Sequence, residues 1–116
     1  MSFNTSYLDK ALKEKRFRLE QERQILLRKT IQWLDEFGSK YGIKKAYIFG
    51  SVTQPYKFHS QSDIDIAVEE INSEDFFSVI GFISEALARD VDVIQMNQCH
   101  FAHRIREKGI VWIAKL

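Results

Sequence analysis

Apolar residues recur at helical spacings from Leu8 to Tyr41. Leu8, Leu12, Leu19, Leu26, Ile31, Leu34 and Phe37 are separated, with the exception of the step from Leu26 to Ile31, by three, four or sums of these, and no proline interrupts them. The pattern predicts one long helix, with Gly38 and Gly42 marking its end. Its first half, "DKALKEKRFRLEQERQ", is densely charged around a thin apolar line, whereas "ILLRKTIQWLDEFGSKYG" is apolar enough to pack on a core. The pattern then switches period. "KKAYIF" (Lys44 to Phe49) and "DIDIAV" (Asp63 to Val68) read as strands, joined by a polar loop that holds the single proline, Pro55. Asn72 or Ser73 can cap a helix from about Glu74 to Arg89, with Phe76, Ile80, Ile83 and Leu87 on one face. "VDVI" is a third strand, "QCHFAHRIREKG" a short helix stopped by Gly109, and "IVWIA" a last strand.

This alternation predicts an α/β (α+β) fold, a small mixed sheet with helices packed on it and a long N-terminal helix. Residues 1–24 are expected to be a helical extension and residues 25–116 the domain proper. A chain of 116 residues fits one domain, and a net charge of +1 gives no global field for nucleic acid or membrane. One cysteine, Cys99, excludes an internal disulfide and suits a reducing compartment. No apolar stretch is long enough to span a bilayer, and the first residues lack the order of a secretion signal, so a cytoplasmic location is expected.

The candidate chemistry lies in "IFGSVTQPYKFHSQSDIDIAVE". Strand alternation puts Asp63, Asp65 and Ala67 on one face and Ile64, Ile66 and Val68 on the other. In "VDVI", Asp92 points opposite to Val91 and Val93. If this strand pairs beside the second, three carboxylates converge. Like charges raise one another's pKa, and a hard divalent cation with oxygen ligands, usually magnesium, relieves the repulsion. Two such ions about 3.5–4 Å apart support in-line phosphoryl transfer. Gly50 lets a phosphate approach the backbone, and the Ser51 hydroxyl and adjacent amides can hold it.

"FGS", eleven residues, "DIDIAV", then "VDVI" about thirty residues on resembles the nucleotidyltransferase fold of the DNA polymerase β superfamily. More narrowly it resembles the minimal nucleotidyltransferases (MNT), the antitoxin halves of HEPN/MNT toxin–antitoxin pairs. The resemblance covers about residues 25–116. It implies a polymerase β-like palm, with Asp63 and Asp65 as the metal-binding pair, Asp92 as the third carboxylate, and Gly50 and Ser51 as the nucleotide-binding turn. It also implies magnesium, ATP as substrate, and a HEPN ribonuclease toxin as partner, silenced by transfer of AMP to one of its tyrosines. The loop departs from the pattern. Many relatives follow the Gly-Ser with an arginine and a glycine, whereas "VTQPYK" has no arginine and leaves Lys57 as the nearest cation.

Other residues read more plainly. His100 and His103 belong to a polar helix face, with Phe101 and Ile105 inward. His59 decorates a loop and Cys99 is a small buried residue. Trp33, Trp112 and the phenylalanines are core candidates. The basic stretch "KEKRFRLEQER" is interleaved with glutamate, which favours a protein partner over nucleic acid. Since the sequence stops after the last strand, the partner is expected to complete the acceptor site and to be held by the N-terminal helix. Two other functions fit the same residues: a binding-only antitoxin that blocks its toxin sterically, and a nucleotidyltransferase acting on a small molecule or RNA. Retention of all three carboxylates opposes the first, and the lack of a second domain opposes the second.

Overall fold

The computed structural model describes residues 6–115. Helix α1 runs from Ser6 to Trp33 and continues through a π-helical turn, Leu34–Gly38, and a short 3-10 turn, Ser39–Tyr41. It stops at Gly42, whose φ of +79° is left-handed backbone that glycine adopts without penalty. Gly38 is therefore interior to the helical run and not its end. Its role is close packing: a Cβ there would stand 2.7 Å from Cη2 of Trp112, whose Nε1 donates to Asp35 Oδ1 at 2.8 Å.

Four strands follow: β1 (Lys45–Phe49), β2 (Ile64–Val68), β3 (Val91–Gln95) and β4 (Ile110–Ile113). Helix α2 (Phe76–Leu87) joins β2 to β3, and α3 (Ala102–Lys108) joins β3 to β4. The sheet order is β3-β2-β1-β4. β1 is antiparallel to both neighbours, while β2 and β3 run parallel. The sheet is thus mixed, as the alternation of elements predicts. α2 starts at Phe76 after a 3-10 turn at Ser73–Asp75, later than the sequence suggests, and Asn72 provides no side-chain cap.

Period-two alternation divides the sheet into two faces. Ala46, Ile48, Ile64, Ile66, Val68, Val91, Val93 and Trp112 lie on the face covered by α1 and α2, where they meet Leu26, Trp33, Leu34, Val79, Ile83 and Leu87. The opposite face carries a smaller cluster of Tyr47, Ala67, Met96, Ala102 and Ile105, covered by α3 alone. That second face is left open at one end, and the site lies there.

The apolar line of α1 buries only its later part. Leu26, Thr30 and Trp33 are in the core, whereas Leu8, Leu12 and Phe17 are 57%, 52% and 61% exposed. Both tryptophans are core residues, but Phe17, Phe77 and Phe82 are not, and Phe101 lies outward while Ile105 is buried. Phe101 precedes the first turn of α3, so the helical face that carries Ala102 and Ile105 does not include it. His59, His100 and His103 are exposed and Cys99 is half-buried. Among the described residues, no helix is long and apolar enough to cross a membrane.

Replacing Gly38 by a larger residue tests the contact between helix and sheet. Trp112 is buried and held by Asp35, so it has little room to yield. Gly38→Val is expected to cost about 1–3 kcal/mol from overpacking. Urea unfolding followed by tryptophan fluorescence measures this.

Candidate active site

Antiparallel pairing brings the end of β1 beside the start of β2, and parallel pairing brings the start of β3 beside β2. Three chain segments thus meet at one edge. Asp65 stands opposite Phe49 on one side and opposite Asp92 on the other. Immediately after Phe49, Gly50 adopts φ +81° and ψ −160°, a region open in practice only to glycine. A Cβ on Gly50 would run into Oδ2 of Asp65. The Asp65 carboxylate therefore lies against bare backbone, and two independent constraints, dihedral and steric, demand glycine.

The carboxylates affect one another. Burial, then the charge of Asp92, then that of Asp63 push Asp65 up to about 6. Asp92 is exposed, and Asp63 is exposed just before β2 rather than within it. Asp63 also lines a groove of about 770 Å³ with Ser60, Gln61, Ser84, Glu85 and Arg89. Of the sequence-predicted residues, Asp65 and Asp92 are in direct register and Gly50 touches Asp65, while Ser51 follows Gly50 in the chain and Asp63 lies two residues before Asp65. Among the described residues, no three His, Cys, Asp or Glu side chains form a ready-made metal cluster. The donor set nonetheless fits a hard cation: it is oxygen only, and one member is held half-buried against two like charges.

Ser51 opens a 3-10 turn, Ser51–Thr53. Thr53 closes it by donating from N at 3.1 Å and from Oγ1 at 2.7 Å to the carbonyl of Gly50. Val52 is fully buried and plugs the turn into the main core.

Two residues of α1 that local sequence pattern does not single out hold this loop. Glu20 and Arg23 are buried and paired. Arg23 Nη1 donates to the Val52 carbonyl at 2.9 Å, and Glu20 Oε2 accepts from the Tyr56 amide at 2.9 Å. Tyr56 has φ +61°, a strained value for a non-glycine residue, which this amide contact helps to hold. Arg23 and the Tyr56 amide hold the Glu20 carboxyl down to about 2, against the opposing effect of burial. On the far side of the loop, Arg89 donates to the carbonyls of Ser60 at 2.7 Å and Ser62 at 3.2 Å, and pairs with Glu22. Its guanidinium lies 4.9 Å from the ring centre of buried Phe58. The packing of α1 on the domain thus reaches back to Glu20. The signal was present as a Glu-x-x-Arg pair at helical spacing, but within a charged run it looks like solvated surface.

The family model described as "Polymerase beta, Nucleotidyltransferase" matches residues 29–115, well over half of the chain. No curated protein and no solved structure matches.

Two stability measurements follow from these charges. The folded pKa of Asp65 lies above its unfolded value, so stability is fully present below about pH 4 and is lost as pH rises through about 6. In metal-free buffer Asp65→Asn should therefore stabilise the protein above pH 6, by about 1–2 kcal/mol after solvent screening, and have little effect at pH 4. Glu20 has the opposite sign. Its contribution is present above about 4.5 and is lost as pH falls towards 2. Glu20→Gln should cost about 1.5–3 kcal/mol at neutral pH, and the gap from wild type should close in acid. Thermal unfolding across pH checks both.

Proposed function

The chain belongs to the polymerase β nucleotidyltransferase family, and from that premise we propose that it transfers AMP from ATP to a tyrosine of a cognate HEPN ribonuclease toxin, neutralising it as an MNT antitoxin. The observation that carries the transfer chemistry is Asp65, held beside Asp92 and against the bare backbone of Gly50. Asp63, Asp65 and Asp92 would hold magnesium, which when bound neutralises the triphosphate and favours the ionised acceptor hydroxyl.

The chain's own groups supply the rest. Gly50 lets the Asp65 carboxylate lie against bare backbone, which any side chain would prevent, and so brings the turn that follows it beside the carboxylates. The Ser51 hydroxyl donates to a phosphate oxygen. Asp92, the exposed member of the cross-strand pair, accepts the acceptor's proton. The tyrosine oxygen bonds to the α-phosphorus, the bond from that phosphorus to the bridging oxygen breaks, and pyrophosphate leaves with the electron pair. Glu20, Arg23 and Arg89 hold the loop through its backbone groups, which lowers the ordering that binding must supply.

The choice of a protein acceptor draws support from α1. Its outer part presents Tyr7, Leu8, Leu12 and Phe17 to solvent, large apolar groups left mostly uncovered by the described residues. A partner that packs on them would bring its own tyrosine to the open sheet face.

The test uses ATP labelled on the α-phosphate, magnesium and the product of a neighbouring toxin gene. Label should appear on a tyrosine of the partner, and Asp65→Asn should reduce transfer by about 10²–10³-fold while the protein stays folded. Label on RNA or a small molecule would replace the proposed acceptor. Neutralisation of the toxin without any label would point to steric blocking.

A further inference from the structure

A second groove, of about 380 Å³, begins at Gly50 and runs between the Gly50 turn and α3. That volume lies within the range of small-molecule sites, about 300–1,000 Å³. Its lining draws Thr53 and Gln54 from the turn, Arg104, Ile105 and Lys108 from α3, and Phe49 from the end of β1. No carboxylate lines it. Arg104 and Lys108 are four apart in α3, so they share a helical face one turn from each other. Like charges at that spacing repel, and ordinary surface design places an acid nearby. Arg106, between them, has one: it donates to Glu69 at 2.9 Å and 3.2 Å. Arg23 and Arg89 are likewise paired with glutamates. Among the described residues, neither Arg104 nor Lys108 has a carboxylate partner.

The groove is continuous with the site through Gly50, which touches Asp65. A chain of phosphates whose first phosphorus lies at the carboxylates can leave them in only a few directions, and negative charge on Asp63, Asp65 and Asp92 opposes most of these. The loop that follows Gly50 carries one basic residue of the Lys or Arg type, Lys57, and it does not line the groove. From the groove's position, its unpaired cations and its lack of acid, we infer that Arg104 and Lys108 bind the β- and γ-phosphates of the nucleoside triphosphate and so hold the departing pyrophosphate. The assignment rests on the nucleotidyl-transfer reading above. It makes α3 a substrate element, beyond its packing of Ala102 and Ile105 on the sheet. Arg104 and Lys108 make no contact that the fold needs, so their removal should leave the fold intact.

Calorimetric titration of the full chain with ATP, inorganic tripolyphosphate and AMP, each with magnesium, tests the assignment. Arg104→Ala should weaken ATP and tripolyphosphate by about tenfold to a hundredfold, with a larger loss when Lys108→Ala is added. AMP, which lacks the two outer phosphates, should change by less than about twofold. Arg104→Lys should recover part of the loss. Unchanged ATP affinity in the folded double variant, with transfer still abolished by Asp65→Asn, would overturn the assignment and leave the transfer reading standing. An equal loss for AMP and ATP, or a loss of partner affinity alone, would also overturn it. Tripolyphosphate binding that depends on Arg104 in a wild-type chain that transfers nothing would support the groove and sink the reaction. A wild-type chain that binds no polyphosphate at all would overturn both.

Discussion

Burying Ile64, Ile66, Val91 and Val93 on one face of the parallel pair obliges Asp65 and Asp92 to stand opposite each other on the other face. The apolar residues set the register, and a slip of one residue would turn the carboxylates into the core and the isoleucines into water. The repulsion between the two acids is thus imposed by the hydrophobic effect and cannot be relaxed by sliding the strands. Gly50 adds a second imposition from the other neighbour, since its backbone lies where the Asp65 carboxylate needs room. Hydrophobic burial of several side chains, at roughly 1.5–3 kcal/mol each, exceeds the cost of one half-buried charge pair.

Much of this was legible in the sequence because two-residue alternation is unambiguous in "DIDIAV" and "VDVI". The faces of Asp65, Ile66 and Asp92 follow from the backbone alone. The sheet order was inferable only in part, since nothing local states that β1 sits between β2 and β4. The Gly-Ser pair reads as a phosphate turn, yet the contact that requires glycine at position 50 is with Asp65, and spacing does not reveal it. The apolar spacing carries the long helix as one continuous run, but in the sequence Gly38 resembles a stop. Glycine at a helix end and glycine under a tryptophan ring are the same letter, and only tertiary packing separates them.

The charged half of α1 hides the contacts that local pattern shows least. Glu20 and Arg23 resemble solvated residues because burial of a charge is rare unless it is paired. Here the pair is completed by backbone groups of the loop, the Val52 carbonyl and the Tyr56 amide. Those partners lie 29 and 36 positions away. Any reading confined to local windows misses them. The consequence for the molecule is a division within one helix: up to about Phe17 it faces solvent, and from Glu20 it belongs to the loop beside the site.

The parallel arrangement of β2 and β3 has a bearing on how the chain reaches its folded form. Parallel neighbours cannot be joined by a hairpin, and here the crossover is the span that contains α2. Asp65 and Asp92 therefore meet only when that span closes, a long-range contact whose loop entropy must be overcome before its packing gives any return. Their repulsion coincides with this closure. A proton taken up by Asp65 lowers that repulsion, so acidity in the surrounding medium bears on the assembly of the sheet as well as on its finished state.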